Sequence, residues 1–158
     1  MHDPAKIDKP LIRVIDDDDA MRNSWAFLIE GEGWDVKTYA DAITFLSSND
    51  YIRPGCLLLD VRMPHMSGLE LQLKLREAGC DLPIIFISGH GDIDMAVNTL
   101  KAGTIDFLQK PVDDQRLLKT IENAVSHNLA QRRGKREVTD FRNRLESLTH
   151  REREVIRM

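Results

Sequence analysis

Polar side chains stand directly after four runs of mostly apolar residues. Asp16, Asp17, Asp18 and Asp19 follow Leu11–Ile15, Asp60 follows Cys56–Leu59, Ser88 follows Ile84–Ile87, and Lys110 follows Ile105–Gln109. If those runs are strands of one open α/β sheet, all four groups converge beyond its carboxyl ends, where such sheets bind ligands. Carboxylates gathered there repel one another unless they hold a hard divalent cation. One or two carboxylates plus waters and phosphate oxygen is how Mg²⁺ prefers to be bound. Lys110 adds a point charge for a phosphoryl oxygen, and the Ser88 hydroxyl can donate to another. A carboxylate beside a cation, an ammonium and a hydroxyl is equipped for nucleophilic attack on phosphorus. Singly these residues say little, since an Asp before a helix is usually a cap and a Lys before a Pro usually a loop residue. The joint pattern at four strand ends carries the argument.

The elements that would position these groups follow from periodicity. After Leu11–Ile15, helical spacing at Met21, Trp25, Leu28 and Ile29 ends at Gly31 and Gly33. Trp34–Tyr39 alternates as a half-exposed strand, and Ala40–Ser48 reads as a short helix with Ile43 and Leu46 inward. Pro54-Gly55 reads as a turn before the apolar strand that enters Asp60. Ser67–Ala78 is helical to Gly79, and Pro83 opens the strand that ends at Ser88. Asp92–Ala102 is amphipathic with Gly103 as its stop, and Ile105–Gln109 is the last strand before Lys110-Pro111. Asp113 or Asp114 can cap a helix that buries Leu117, Leu118, Ile121 and Val125. Five βα units with continuous apolar strands predict a doubly wound parallel sheet covered on both faces.

The chain has 158 residues, room for one domain plus an appendage. Net charge is −4, but residues 1–128 carry 13 basic and 21 acidic groups while 129–158 carry 9 and 5. An acidic body and a basic arm suggest two tasks, with only the arm suited to nucleic acid; a solvated helix face fits the arm equally well. Gly134 in AQRRGKRE favours a kink or loosened helix. Val138, Phe141, Leu145 and Leu148 then form a short a/d seam, which fits either a dimer contact or packing against the parent domain. No apolar run is long enough to span a membrane, and MHDPAKIDKP lacks the apolar centre of a secretory signal. Cys56 and Cys80 therefore read as reduced, semi-buried thiols, and a cytoplasmic location is expected.

The segments VIDDDDAMR at 14–22, LLLDVRMPHMSGLEL at 57–71 and FISGHGDIDMAVNTLKAGTIDFLQKP at 86–111 resemble the receiver family of two-component response regulators, over about residues 1–128. The resemblance implies a flavodoxin-like (CheY-like) five-stranded sheet of order 2-1-3-4-5, here with a C-terminal helical extension. It implies that Asp60 is the phosphoacceptor. Asp17 and Asp60 would ligate Mg²⁺ (or Mn²⁺) directly, Asp16 through water, and the Arg62 backbone carbonyl would complete the protein ligands. Ser88 and Lys110 match the family's hydroxyl and lysine, and Phe107 its switch aromatic, which moves inward as Ser88 moves. Asp18 and Asp19 look like first-turn residues, favourable at the helix dipole's positive end. His65 departs from the Asp, Asn or Gly that receivers more often carry there, and imidazole suits softer cations than Mg²⁺.

The 86–111 segment and the tail LTHREREVIRM at 148–158 resemble the FixJ/NarL group, in which LT-x-RE-RE-V opens a LuxR-type helix-turn-helix domain. Residues 129–148 then read as a helical linker and 149–158 as a first-helix fragment, so the chain reads as one cut within its output domain. The resemblance implies a sensor histidine kinase as phosphoryl donor, no independent enzymatic role beyond assisting phosphotransfer and autodephosphorylation, and transcription regulation through promoter DNA by the full-length protein. A phosphorylation-dependent homodimer is expected through helix 92–102 and strand 105–109, with Asn98, Lys101, Asp106 and Gln109 as candidate contacts. Three alternative readings fit the residues less well. A phosphatase of the haloacid dehalogenase type wants a second Asp two residues after its nucleophile, where Arg62 stands. A flavin module wants a phosphate-cradling loop where the four aspartates stand. A receiver acting by protein binding is opposed only by the LTHREREV tail.

Overall fold

The computed structural model describes residues 9–89 and 106–157, with side chains described as far as 135. Strands β1 (Leu11–Ile15), β2 (Asp35–Tyr39), β3 (Gly55–Asp60), β4 (Ile84–Ser88) and β5 (Asp106–Gln109) form one five-stranded sheet of order β2-β1-β3-β4-β5. All four pairings are parallel. Helices α1 (Asp19–Gly31), α2 (Ala42–Ser48), α3 (Gly68–Glu77) and α4 (Asp114–Arg157) complete the described elements. The predicted CheY-like sheet is thus present in its expected order. The predicted helix 92–102, with Asn98 and Lys101, lies outside the described residues.

The three central strands are buried along their whole length, as a parallel sheet covered on both faces requires. Edge strand β2 buries only Tyr39, which matches its half-polar sequence. A core of Leu57, Leu59, Phe86, Ile84, Leu71, Leu75 and Phe45 packs beneath α2 and α3. Register then decides what meets at the carboxyl edge. Ile15 pairs with Leu59, Asp60 with Ile87, and Ser88 with Gln109. Asp16, Asp60, Ser88 and Lys110 are therefore brought to one edge by strand pairing alone.

Caps set the helix starts. Asp18 accepts from Met21 N, Asp41 from Thr44 N, Ser67 from Glu70 N and Asp113 from Arg116 N. Several expectations are corrected. Helix α2 starts at Ala42, because Asp41 is its cap, and it buries Ala42 and Phe45 while Ile43 is half exposed. Helix α3 is one residue shorter at each end than expected, since Ser67 is its N-cap and Ala78 its C-cap. Gly55 is the first residue of β3 rather than a turn residue. Its φ of 145°, and a Cβ position 1.9 Å from the Leu11 carbonyl oxygen, admit only glycine. Leu118 is half-buried, while Leu117, Ile121 and Val125 are buried as expected.

Helix α4 runs unbroken through Gly134. A lone glycine costs about 1 kcal/mol against alanine, which flanking helix formers offset. The chain divides into two compact units, residues 1–128 and 129–158. The Val138–Leu148 seam lies beyond the described side chains. Cys56 and Cys80 are free and both are buried, Cys56 fully; burial pushes its thiol up to about 12. Among the described residues no helix is long and apolar enough to cross a membrane.

Candidate functional site

Asp16, the first residue after β1, has its amide bonded to the Tyr39 carbonyl at 3.2 Å, so the edge of β2 fixes where β1 ends. Its Oδ1 accepts from Asp18 N at 2.8 Å, while its Oδ2 is buried with no hydrogen-bond partner. A buried carboxylate oxygen left unpaired is costly. Asp17 is exposed, and Asp60 ends β3 with its Oδ1 accepting from Arg62 N at 3.1 Å. Oxygens of Asp16, Asp17 and Asp60 lie within 4.8 Å of one another.

Positive charge reaches this cluster from the far side of the sheet. Lys110 N donates to the Ser88 carbonyl at 2.6 Å, which extends the β4–β5 pairing by one residue and turns the lysine toward β3. Its Nζ stands 3.4 Å from Asp60 Oδ2. The same Nζ lies 5.7 Å from the centre of the Trp25 ring on α1. The Ser88 hydroxyl is buried and donates to the Gly89 carbonyl at 3.2 Å. Phe107 is half-buried, its ring 6.4 Å from that of Phe86.

Electrostatics follow from this packing. Burial raises the Asp16 carboxyl to about 6, with neighbouring Asp60 and Asp17 adding to the rise and the Asp18 amide and Lys110 opposing it. Burial also raises Asp60, against the pull of Lys110 and the Arg62 amide. Two carboxylates are thus held at a cost in ionised form, which is the condition a cation relieves. Three hard oxygen donors, one of them buried and unpaired, fit Mg²⁺ or Mn²⁺.

Of the residues read from strand ends, Asp16, Asp17 and Asp60 meet in the acidic cluster with Lys110 beside Asp60, and Ser88 ends the neighbouring strand. Asp18 caps α1 and Asp19 lies in its first turn, outside the acidic cluster. Asp106 and Gln109 lie on β5, half-exposed and exposed. His65 is exposed at φ 70°, the left-handed region that Asn, Asp and Gly tolerate best and that His enters more readily than most residues. Sequence reasoning missed three supporting residues. Arg22 donates to the Asp16 carbonyl at 2.6 Å and pairs with Asp19. Trp25 faces Lys110. Gly68 starts α3 so close to β3 that an added Cβ would lie 2.5 Å from the Asp60 carbonyl oxygen. The i, i+3 spacing of Asp19 and Arg22 was visible; the other two need the fold.

A five-stranded parallel sheet with an acidic cluster, a hydroxyl and a lysine at its carboxyl edge defines a receiver, and the chain belongs to the response regulator receiver domain family, whose profile matches residues 12–122. It is similar to the response regulator protein TmoT of Ectopseudomonas mendocina, 43% identical over 93% of this chain and 67% of that one. It is 39% identical to the transcriptional regulatory protein FixJ of Rhizobium meliloti (strain 1021), over 92% of this chain and 71% of the relative. Among solved structures, the response regulator StyR matches with a TM-score of 0.80 at 45% identity, covering 88% of this chain and 70% of that one. The chain spans about two thirds of the length of the curated relatives it matches. It is a receiver domain of a two-component system, close to FixJ-type regulators.

Proposed function

We propose that Asp60 accepts a phosphoryl group from a phosphohistidine of a sensor kinase, in a reaction that needs Mg²⁺ or Mn²⁺. The observation that carries this reading is the Asp60 carboxylate itself, ending a buried strand 3.4 Å from Lys110 Nζ and beside two further carboxylates. One Asp60 oxygen attacks phosphorus as the phosphorus–nitrogen bond to the donor imidazole breaks, giving an acyl phosphate and returning the histidine. Asp16, Asp17, Asp60 and the Arg62 carbonyl would hold the cation. When bound, it neutralises carboxylate and phosphoryl charge so that an anionic donor can approach. Lys110 supplies the second positive charge, and Ser88, one strand away, can turn its hydroxyl from Gly89 to a phosphoryl oxygen. The chain assists its own phosphotransfer and autodephosphorylation and has no other enzymatic role.

Ser88 and Phe107 relay the change, with Phe107 filling the space the Ser88 hydroxyl vacates. Dimerisation through 92–102 and β5 follows, bringing together in the longer cytoplasmic protein two output domains that bind promoter DNA. Support for that last step comes from FixJ, whose name is that of a transcriptional regulatory protein, and from the LTHREREV tail. Incubation with acetyl phosphate, with Mg²⁺ and with EDTA, followed by mass spectrometry, tests the core of the reading. One phosphoryl adduct on Asp60 is expected with Mg²⁺ only. An adduct that persists in Asp60→Asn, or forms equally in EDTA, overturns it.

A further inference from the structure

Lys110 is the one cation described within hydrogen-bonding distance of Asp60, yet its side chain is 29% exposed and long. A lysine stem has four rotatable bonds, so a single ion pair at 3.4 Å does not fix the ammonium over the carboxylate. The second group on that ammonium is the ring of Trp25, at 5.7 Å, inside the range at which a ring face attracts a cation. Trp25 is itself 6% exposed on α1, and so held by its surroundings. Helix α1 is anchored to the site independently, because Asp18 caps it and Arg22, three residues before Trp25, donates to the Asp16 carbonyl. One helix thus touches the acidic pair through Arg22 and the opposing cation through Trp25.

We infer that Trp25 is a positioning residue for phosphotransfer: its ring holds the Lys110 ammonium at Asp60, and its fluorescence reports where that ammonium is. This rests on Asp60 being the phosphoacceptor. When a phosphoryl oxygen appears on Asp60, the lysine gains a stronger partner than the carboxylate alone. The ammonium–indole distance changes, and with it the emission of Trp25. The chain has two tryptophans, and the other, Trp34, immediately precedes β2 at the opposite, amino-terminal edge of the sheet. Trp34→Phe therefore leaves Trp25 as sole fluorophore without touching the site.

The test uses the 158-residue chain carrying Trp34→Phe. Emission should change on adding beryllofluoride with Mg²⁺, and that response should vanish in Lys110→Ala. Trp25→Leu, which keeps apolar bulk but no π face, should lower the rate of phosphorylation by acetyl phosphate and the affinity for beryllofluoride by roughly two- to fivefold, as a cation–π contact of this kind implies. Trp25→Phe should restore most of both. Mg²⁺ affinity should be unchanged in Trp25→Leu and Trp25→Phe, because the contact they alter is to Lys110 and not to a carboxylate of the acidic cluster. If Trp25→Leu melts lower but binds beryllofluoride and takes phosphate as the parent does, Trp25 is only a core residue and the inference falls. An emission change that survives Lys110→Ala also overturns it. Failure of the parent to form any Asp60 adduct would instead refute the phosphoacceptor reading, so the two failures are distinct.

Discussion

Asp16→Asn should make the metal-free protein more stable while crippling its response to Mg²⁺. Asp16 is fully buried, one of its oxygens has no partner, and burial lifts its carboxyl from about 3.8 to about 6. At about 1.36 kcal/mol per unit, ionising it costs the fold at most ~3 kcal/mol. Exposed Asp17 shows that solvent reaches the cluster, so about 1–2 kcal/mol is the realistic gain on substitution. The amide oxygen of Asp16→Asn can keep the bond from Asp18 N, and its NH₂ replaces the orphaned oxygen with an uncharged donor. The sign with pH is fixed by linkage. The folded state binds the Asp16 proton more tightly than the unfolded state, so stability falls as pH rises from about 4 to about 6. The advantage of Asp16→Asn should be small at pH 4, growing to its full value above about pH 6, with Asp60 leaving a residual slope in both proteins. Thermal melts in EDTA from pH 4 to 8 should show the variant roughly 3–8 °C higher at neutral pH. Added Mg²⁺ should raise the parent far more than the variant. A variant that melts lower than the parent in EDTA at pH 7, or a gap that narrows as pH rises, would refute this reasoning.

Three other outcomes are expected. Gly68→Ala should cost about 1–3 kcal/mol and slow phosphorylation, because its Cβ would press the Asp60 carbonyl oxygen; urea melts and acetyl phosphate kinetics check both. Arg13→Ala should cost about 3 kcal/mol by chemical denaturation with little change in phosphorylation per folded molecule. Its buried guanidinium donates to the Leu11, Asp50 and Arg53 carbonyls and pairs with Asp50, away from the acidic cluster. Sedimentation should show the chain shifting from monomer to dimer on beryllofluoride treatment, and a dimer of equal strength in both states would refute a phosphorylation-driven interface.

Strand positions were legible because β3 and β4 are apolar runs and β1 is broken only by Arg13, and the site residues because each stands at or just past the end of a strand. Periodicity was less informative where elements are short. In α2, seven residues cannot distinguish Ile43 and Leu46 inward from Ala42 and Phe45 inward; the Asp41 cap decides, by starting the helix two residues later than its composition suggests. Gly134 misled because glycine's cost is local while helix continuation is cooperative. Trp25 and Gly68 were invisible as site residues for a different reason. A tryptophan at helical spacing reads as core, which it also is, and only the placement of Lys110 adds its second role. Gly68 matters through a close approach between α3 and β3 that no spacing encodes. His65 departs from the residues receivers more often carry there, which bears on loop geometry and not on chemistry; at φ 70° the constraint is indeed on backbone shape, and histidine meets it.

The distribution of restraint within the sheet argues for the side by which a signal leaves. Strand β3 is buried at every residue and is held at both ends. At its start the Gly55 amide donates to Asn128 Oδ1 at 3.0 Å, with Asn128 fully buried and donating in turn to the Asp81 carbonyl. At its end the Asp60 carbonyl is shielded by Gly68. A strand so fixed is a frame, and a charge added to its last side chain is resisted by the whole core. Strand β5 differs in kind. It is an edge strand with a single neighbour and four residues, and it buries only Leu108. Phe107 on it is half-buried, and Lys110 just beyond it is held at Asp60 by one ion pair and one ring. Low burial and few hydrogen bonds mark the elements that move at least cost. A phosphoryl group on Asp60 that draws Ser88 and Lys110 toward itself therefore meets a rigid wall in β3 and a compliant edge in β5, so the response is expected on the β4–β5 side.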